Sequence, residues 1–202
     1  MPRTPQQNEA IRKKTRVKIM KSALAMFAER GYYGASMNTI ALHAGVSKGL
    51  IYSYYDSKED LLSALIDYQI ELFTPLQQFL QTNAEAPPMK MRRLIQKIFE
   101  TYQTHRDLFV LYHAILLQPN VLAILQKRSK SLEEGVRIFY TSIEQLFRDL
   151  GYNDPLREMR KLKMLFNGMI FNNLVLARMF PIHELEELLV EEYHLPELPK
   201  DE

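Results

Sequence analysis

Ser36-Met37-Asn38-Thr39-Ile40-Ala41-Leu42-His43-Ala44-Gly45-Val46-Ser47-Lys48-Gly49-Leu50-Ile51-Tyr52-Ser53-Tyr54-Tyr55 is the stretch of this 202-residue chain that decides its architecture. It reads as a short helix, a turn and a second short helix. Ser36 can cap the first helix and Ser47 the second, each by accepting backbone N–H bonds. Ala41 is small where two helices crossing steeply would meet, and Gly45 can take the positive φ that ends the first helix. Ile40, Ala44, Val46 and Ile51 then face inward and hold the pair together. That is the pattern of a helix-turn-helix. Two short helices that merely pack are the alternative. The small residue, the turn glycine, both caps and the local positive charge, all in one window, favour a unit that binds DNA.

Charge distribution points the same way. Ten Lys and Arg against three acids lie between Met1 and Lys58, whereas the rest of the chain carries sixteen bases and twenty-one acids. A basic first quarter on an acidic remainder suggests a polyanion-binding module attached to something else, although a solvated basic face would look alike. Arg12, Lys13, Lys14 and Arg16 read either as a flexible arm adding affinity for DNA or as a solvated basic tail. Four of the seven glycines fall between residues 31 and 49, so tight backbone is needed there and continuous helix elsewhere.

Outward from this segment, apolar residues recur at three- and four-residue intervals, and strand-like alternation is hard to find. Val17, Met20, Leu24 and Phe27 form one stripe, ending at Gly31. Leu61, Leu62, Leu65, Ile66, Leu72, Phe73, Leu76 and Phe79 form another. Met91, Leu94, Ile95, Ile98, Phe99 and Tyr102 form a third. Prolines punctuate the remainder, with Pro87, Pro88, Pro155 and Pro181 where first turns belong. The pattern predicts about nine helices, near 10–30, 37–44, 48–54, 58–83, 88–103, 106–117, 120–149, 155–180 and 182–194, with Pro75 able to kink or split the fourth. The fold class is all-α, with residues 1–56 a three-helix DNA-binding domain and 57–202 a larger helical domain.

The segment Phe27-Ala28-Glu29-Arg30-Gly31-Tyr32, followed by Ile40-Ala41-x-x-Ala44-Gly45-Val46-Ser47-x-Gly49-x-x-Tyr52-x-Tyr54-Tyr55-x-x-Lys58-x-x-Leu61, resembles the TetR family of one-component transcriptional regulators. Tyr55 stands where Phe is more usual, which keeps the ring and adds a hydroxyl needing a partner. Beyond residue 62 the resemblance is architectural. It implies that the second helix of the pair enters the major groove and that Asn38, Lys48, Gly49, Tyr52 and Ser53 approach bases. Ser36, Thr39, Tyr54 and Lys58 are the phosphate candidates it implies, beside the cap residue Ser47. Whether Tyr52 and Tyr54 meet bases or phosphates is open, and a packed core ring is the alternative for Tyr54.

One short recognition helix reads few base pairs, so a homodimer on a palindromic operator is expected. The stretch from Met164 to Phe180 is apolar around most of its girth, more than one buried face requires. Met164, Gly168, Phe171, Asn172, Val175, Leu185, Leu188 and Leu189 are the candidate dimer contacts, with a monomer core as the alternative. Polar groups among apolar neighbours, Tyr102, His105, Tyr112, His113, Asn167 and the ring of Phe171, are candidates to line a site for a small, mostly apolar effector. Satisfied core or interface polarity is the favoured reading for any one of them, and the effector itself is implied by the resemblance alone.

Enzymatic readings find little support. Cysteine is absent, no Gly-rich phosphate loop or serine elbow appears, and Glu191-x-x-His194 lacks the second pair that a di-iron bundle requires. No catalytic residue, metal or cofactor is expected. The longest apolar run, Leu108 to Leu117, contains His113 and is too short to cross a bilayer, and the polar amino terminus is no secretory signal. A soluble cytoplasmic repressor is the expectation. A DNA-organising or adaptor protein without effector control is its rival.

Overall fold

The computed structural model describes residues 4–82, 84–116, 118, 121, 123, 124, 130–176 and 178–198. Ten helices and no strands are found among them: α1 Pro5–Gly34, α2 Met37–His43, α3 Lys48–Tyr52, α4 Lys58–Glu71, α5 Thr74–Thr82, α6 Pro87–Thr104, α7 Arg106–Leu116, α8 Lys130–Asp149, α9 Pro155–Leu176 and α10 Ile182–Glu192. The helix expected over 58–83 is two helices. Pro75 lacks the N–H that would continue the ladder of α4 and instead occupies the first turn of α5, where no such bond is needed. The first part of the helix expected over 120–149 lies largely outside the described residues.

Local chemistry sets most helix starts. Thr4 and Gln7 close a reciprocal capping box, with Pro5 as the first helical residue. The basic stretch from Arg12 to Arg16 is therefore helix, neither flexible arm nor tail. At α4, Ser57 Oγ accepts from Asp60 N–H at 3.0 Å, and Glu59 and Asp60 place negative charge at the positive end of the helix dipole. Asp154 Oδ1 accepts from Arg157 N–H at 3.0 Å to start α9.

The chain divides into two compact units, each discontinuous in sequence. The first comprises Met1–Gln69 and Arg106–Leu132, so it extends past residue 56 and takes in α7. There α1 packs on α2 and on α7, and α2 on α3. Ile19, Met20, Phe27, Ile40, Ile51, Leu61 and Leu62 are fully buried.

The second unit comprises Ile70–His105 and Glu133–Glu202, with α6 packed on α5 and on α10. Its core joins Leu80, Met91, Leu94, Phe99, Phe147, Leu162, Leu185 and Leu189. Tyr102, a candidate effector contact, is buried here, and its hydroxyl donates to Asn173 Oδ1 at 2.8 Å. Asn173 Nδ2 in turn donates to Phe180 O at 2.7 Å, tying α6 to α9 and to the turn that follows it. Replacing Asn173 with alanine removes both bonds and should cost about 2–3 kcal/mol in a urea titration, against about 1 kcal/mol for Tyr102→Phe, which removes one.

Candidate nucleic-acid interface

Ser36 Oγ accepts from Thr39 N–H at 3.1 Å, and Thr39 Oγ1 accepts from Ser36 N–H at 3.0 Å while donating to Ser36 O at 2.9 Å. The box satisfies the start of α2 and occupies both hydroxyls, which is a structural use for two phosphate candidates. At the other end of α2, Gly45 N–H donates to Leu42 O at 3.0 Å and Val46 N–H to Ala41 O at 2.9 Å. That pairing is a Schellman motif, and it places Gly45 at φ 58°. A side chain there would be strained by about 1–2 kcal/mol, and its Cβ would meet Lys18 Nζ at 3.3 Å.

After this turn Ser47 Oγ accepts from Leu50 N–H at 3.1 Å and starts α3. Ile51 is fully buried, as are Ile40 and Ala44, so α3 is held from behind by one large anchor; Val46 is half-buried. Its outer face carries Lys48, Gly49, Tyr52 and Ser53, all exposed, with Asn38 exposed on α2. Above Gly49 no atom lies within 4 Å of an added Cβ, so another molecule's surface can approach the backbone there. Ser53 Oγ donates back to Leu50 O at 2.7 Å, which leaves its lone pairs, rather than its proton, for an outside partner.

Tyr54 is half-buried and Tyr55 buried. The Arg12 guanidinium stands 5.7 Å from the Tyr54 ring centroid, within cation–π range. Asn8, Ile11 and Arg12 of α1 line an open groove with Leu50, Ser53 and Tyr54. Sequence reading missed this link between the start of α1 and α3, since spacing gives no sign of it. Lys58, expected at a phosphate, turns inward: Nζ donates to Tyr32 O at 2.8 Å and Ala35 O at 2.9 Å and sits 4.5 Å from the Tyr32 ring centroid. Carbonyls at the end of α1 present the negative end of a helix dipole, which explains a lysine in the first turn of α4.

The remaining candidates separate by unit. In the first, Tyr112 and His113 are half-buried with their rings edge to face at 5.9 Å. Burial raises the Tyr112 hydroxyl above its ordinary pKa, and His113 Nδ1 donates to Phe109 O at 2.8 Å. In the second, His105 follows α6 and is half-buried, whereas Asn167 and Phe171 are exposed. Met164, Gly168 and Val175 are exposed and Asn172 half-buried along α9, and Leu188 of α10 is exposed. Leu185 and Leu189 do not share that surface. They are 4% and 1% exposed because the same leucine stripe packs α10 into its own core.

Among the described residues no group of three or more His, Asp or Glu is placed to hold a metal ion, and no helix is long and apolar enough to cross a membrane.

A capped α2, a Schellman turn and an outward-facing α3 on a basic segment define a helix-turn-helix protein of the DNA-binding class. The sequence profile described as bacterial regulatory proteins, tetR family, matches residues 19–65, so that segment carries the DNA-binding region of that family. A Bacillus subtilis protein described as an uncharacterized HTH-type transcriptional regulator, YuxN, is 32% identical over 90 residues, 44% of this chain and 31% of its own. The chain thus spans about a third of that relative's length. Among solved structures, NalD of Pseudomonas aeruginosa, the secondary repressor of the MexAB-OprM multidrug efflux pump, superposes with a TM-score of 0.72 at 21% identity, over 92% of this chain and 96% of that one. FadR of Bacillus subtilis in complex with stearoyl-CoA gives 0.69 at 20% identity, over 88% and 96%. At these identities the likeness is one of fold.

Proposed function

We propose that this regulator acts as a homodimer that reads a palindromic operator, with residues 1–56 as its DNA-binding part, and that a small, mostly apolar effector releases it. The observation that carries the reading is α3: Ile51 anchors it from behind, and Lys48, Gly49, Tyr52 and Ser53 form an unobstructed outer face. Lys48 and Tyr52 contact bases, Ser53 Oγ accepts from a base amino group, and Asn38 lies at the groove edge. Phosphates are held by Tyr54 and, to the extent their caps allow, by Ser36 and Thr39; Lys58 has one ammonium proton left for that purpose. Exposed Met164, Gly168, Phe171 and Val175 on α9, with Leu188, supply the dimer surface.

An effector would lower DNA affinity by preferring a conformation whose two α3 helices are wrongly spaced for half-sites about 34–36 Å apart. Tyr102 is committed to Asn173, so its proposed orienting contacts fall to the Tyr112 hydroxyl and His113 Nε2. Stearoyl-CoA, bound in the Bacillus subtilis FadR structure, is the first probe to titrate against a protein–operator complex. As a repressor of this kind the protein would work in the cytoplasm.

The test is selection of bound duplexes from a random pool. A recovered palindrome bound at least about a thousandfold more tightly than scrambled DNA supports the reading, and equal binding of both favours a DNA-organising role instead. Salt titration adds a second expectation: Lys48→Ala should reduce the slope of log K against log salt by up to about one unit if Lys48 neutralises a phosphate, and leave it unchanged if it reads only bases.

A further inference from the structure

α1 does not run straight into the helix pair. Gly31 interrupts it with φ 72° and ψ 159°, a conformation essentially restricted to glycine. An interrupted ladder leaves backbone groups in need of new partners. One side chain meets two of them: Gln118, two residues past α7, donates from Nε2 to Phe27 O at 2.7 Å and accepts at Oε1 from Tyr32 N–H at 2.6 Å. Phe27 precedes the break and Tyr32 follows it, so the amide bridges the kink. Its Oε1 lies 3.6 Å from where a Cβ on Gly31 would stand, directly over the break.

The segment beyond is held from another side. Lys58 Nζ binds the carbonyls of Tyr32 and Ala35, and the next residue, Ser36, is the cap of α2. Four residues leading into the DNA-binding pair are thus fixed by two side chains that belong to neither of its helices. Gln118 also lies outside residues 19–65, the part that matches the family profile.

We propose that Gln118 is a positioning residue for sequence-specific DNA binding: by splinting the kink at Gly31 it fixes the angle at which α1 delivers α2 and α3, and with it the register of α3 on the duplex. The proposal rests on the sequence-specific reading above. Gln118 carries no charge, so its loss disturbs geometry and leaves the cations untouched. Sequence-independent affinity, which follows the cations, is then preserved while discrimination is lost.

The experiment uses the full chain as wild type, Gln118→Ala and Gln118→Glu, titrated by fluorescence anisotropy with a selected duplex and a scrambled one at equal salt. Gln118→Ala should weaken the selected duplex about tenfold, the loss expected from removing two hydrogen bonds, and the scrambled duplex by less than about twofold, with an unchanged salt slope. Hydrogen exchange at the Tyr32 amide should quicken. Gln118→Glu keeps an acceptor for Tyr32 but no donor for Phe27, and should fall between wild type and alanine. Unchanged discrimination in Gln118→Ala overturns the proposal. So does equal weakening of both duplexes with loss of helical signal, which would make the role one of stability alone. A wild type without preference sinks the sequence-specific reading instead, and the Tyr32 exchange then decides whether the splint exists.

Discussion

Lys48→Ala combined with Tyr52→Ala should remove the preference for a selected operator while leaving the protein folded. The two residues are four apart on α3 and both are exposed, so they share one outer face of the helix, while Ile51 beside them is fully buried and anchors it. Each good contact to a base edge discriminates by about 1–3 kcal/mol. Losing two contacts costs about 2–6 kcal/mol at each half-site, so affinity for one half-site falls between about thirtyfold and about twenty-thousandfold, and a dimer bears that loss at both. Neither side chain supports the core, so thermal stability should stay within about 0.5 kcal/mol of wild type. Anisotropy on selected and scrambled duplexes measures the first effect and calorimetry the second. A double variant that holds the operator as tightly as wild type would remove α3 from the DNA contact surface.

Why that surface can be read from sequence, while its supports cannot, follows from the range of the interactions. Ser36, Gly45 and Ser47 act on groups three residues away, so their types and spacing carry the information. Pro75 likewise splits its helix by a local rule. The Thr4–Gln7 box is equally local, yet the helix expected from the sequence starts near residue 10 and misses it, and the box makes helix of a basic stretch whose charge pattern suggested arm or tail. By contrast Gln118 finds its partners 86 and 91 residues away, and no local pattern announces that. Lys58 is a phosphate candidate by family resemblance; its carbonyl partners come from the end of α1, 23 and 26 residues upstream. Leu185, Leu188 and Leu189 show the other kind of ambiguity. A leucine stripe serves a core and an interface equally well, and only packing separates buried Leu185 and Leu189 from exposed Leu188.

Phe171→Glu combined with Val175→Glu should convert the proposed dimer into a 23.7 kDa monomer and remove tight operator binding with it. Met164, Gly168, Phe171 and Val175 follow one another at four, three and four residues, which keeps them on one face of α9. That face is open: Met164 is 68% exposed and Val175 62%. Contiguous exposed apolar residues mark an interaction site, and Gly168 between them has no atom within 4 Å of an added Cβ, leaving room for a second helix to come close. Two carboxylates buried at a self-complementary interface meet their own copies across the axis, so desolvation and repulsion act together. The two half-sites then cease to be bound as one, and the linked-binding advantage of about 10²–10⁴ is lost. Sedimentation and anisotropy read the two losses. Protomer stability should hold, because both positions face solvent in the single chain, whereas Leu189→Glu in the adjoining core should unfold it. A wild type that sediments at 23.7 kDa, or a double variant that keeps both its mass and its operator affinity, would move the dimer surface off α9.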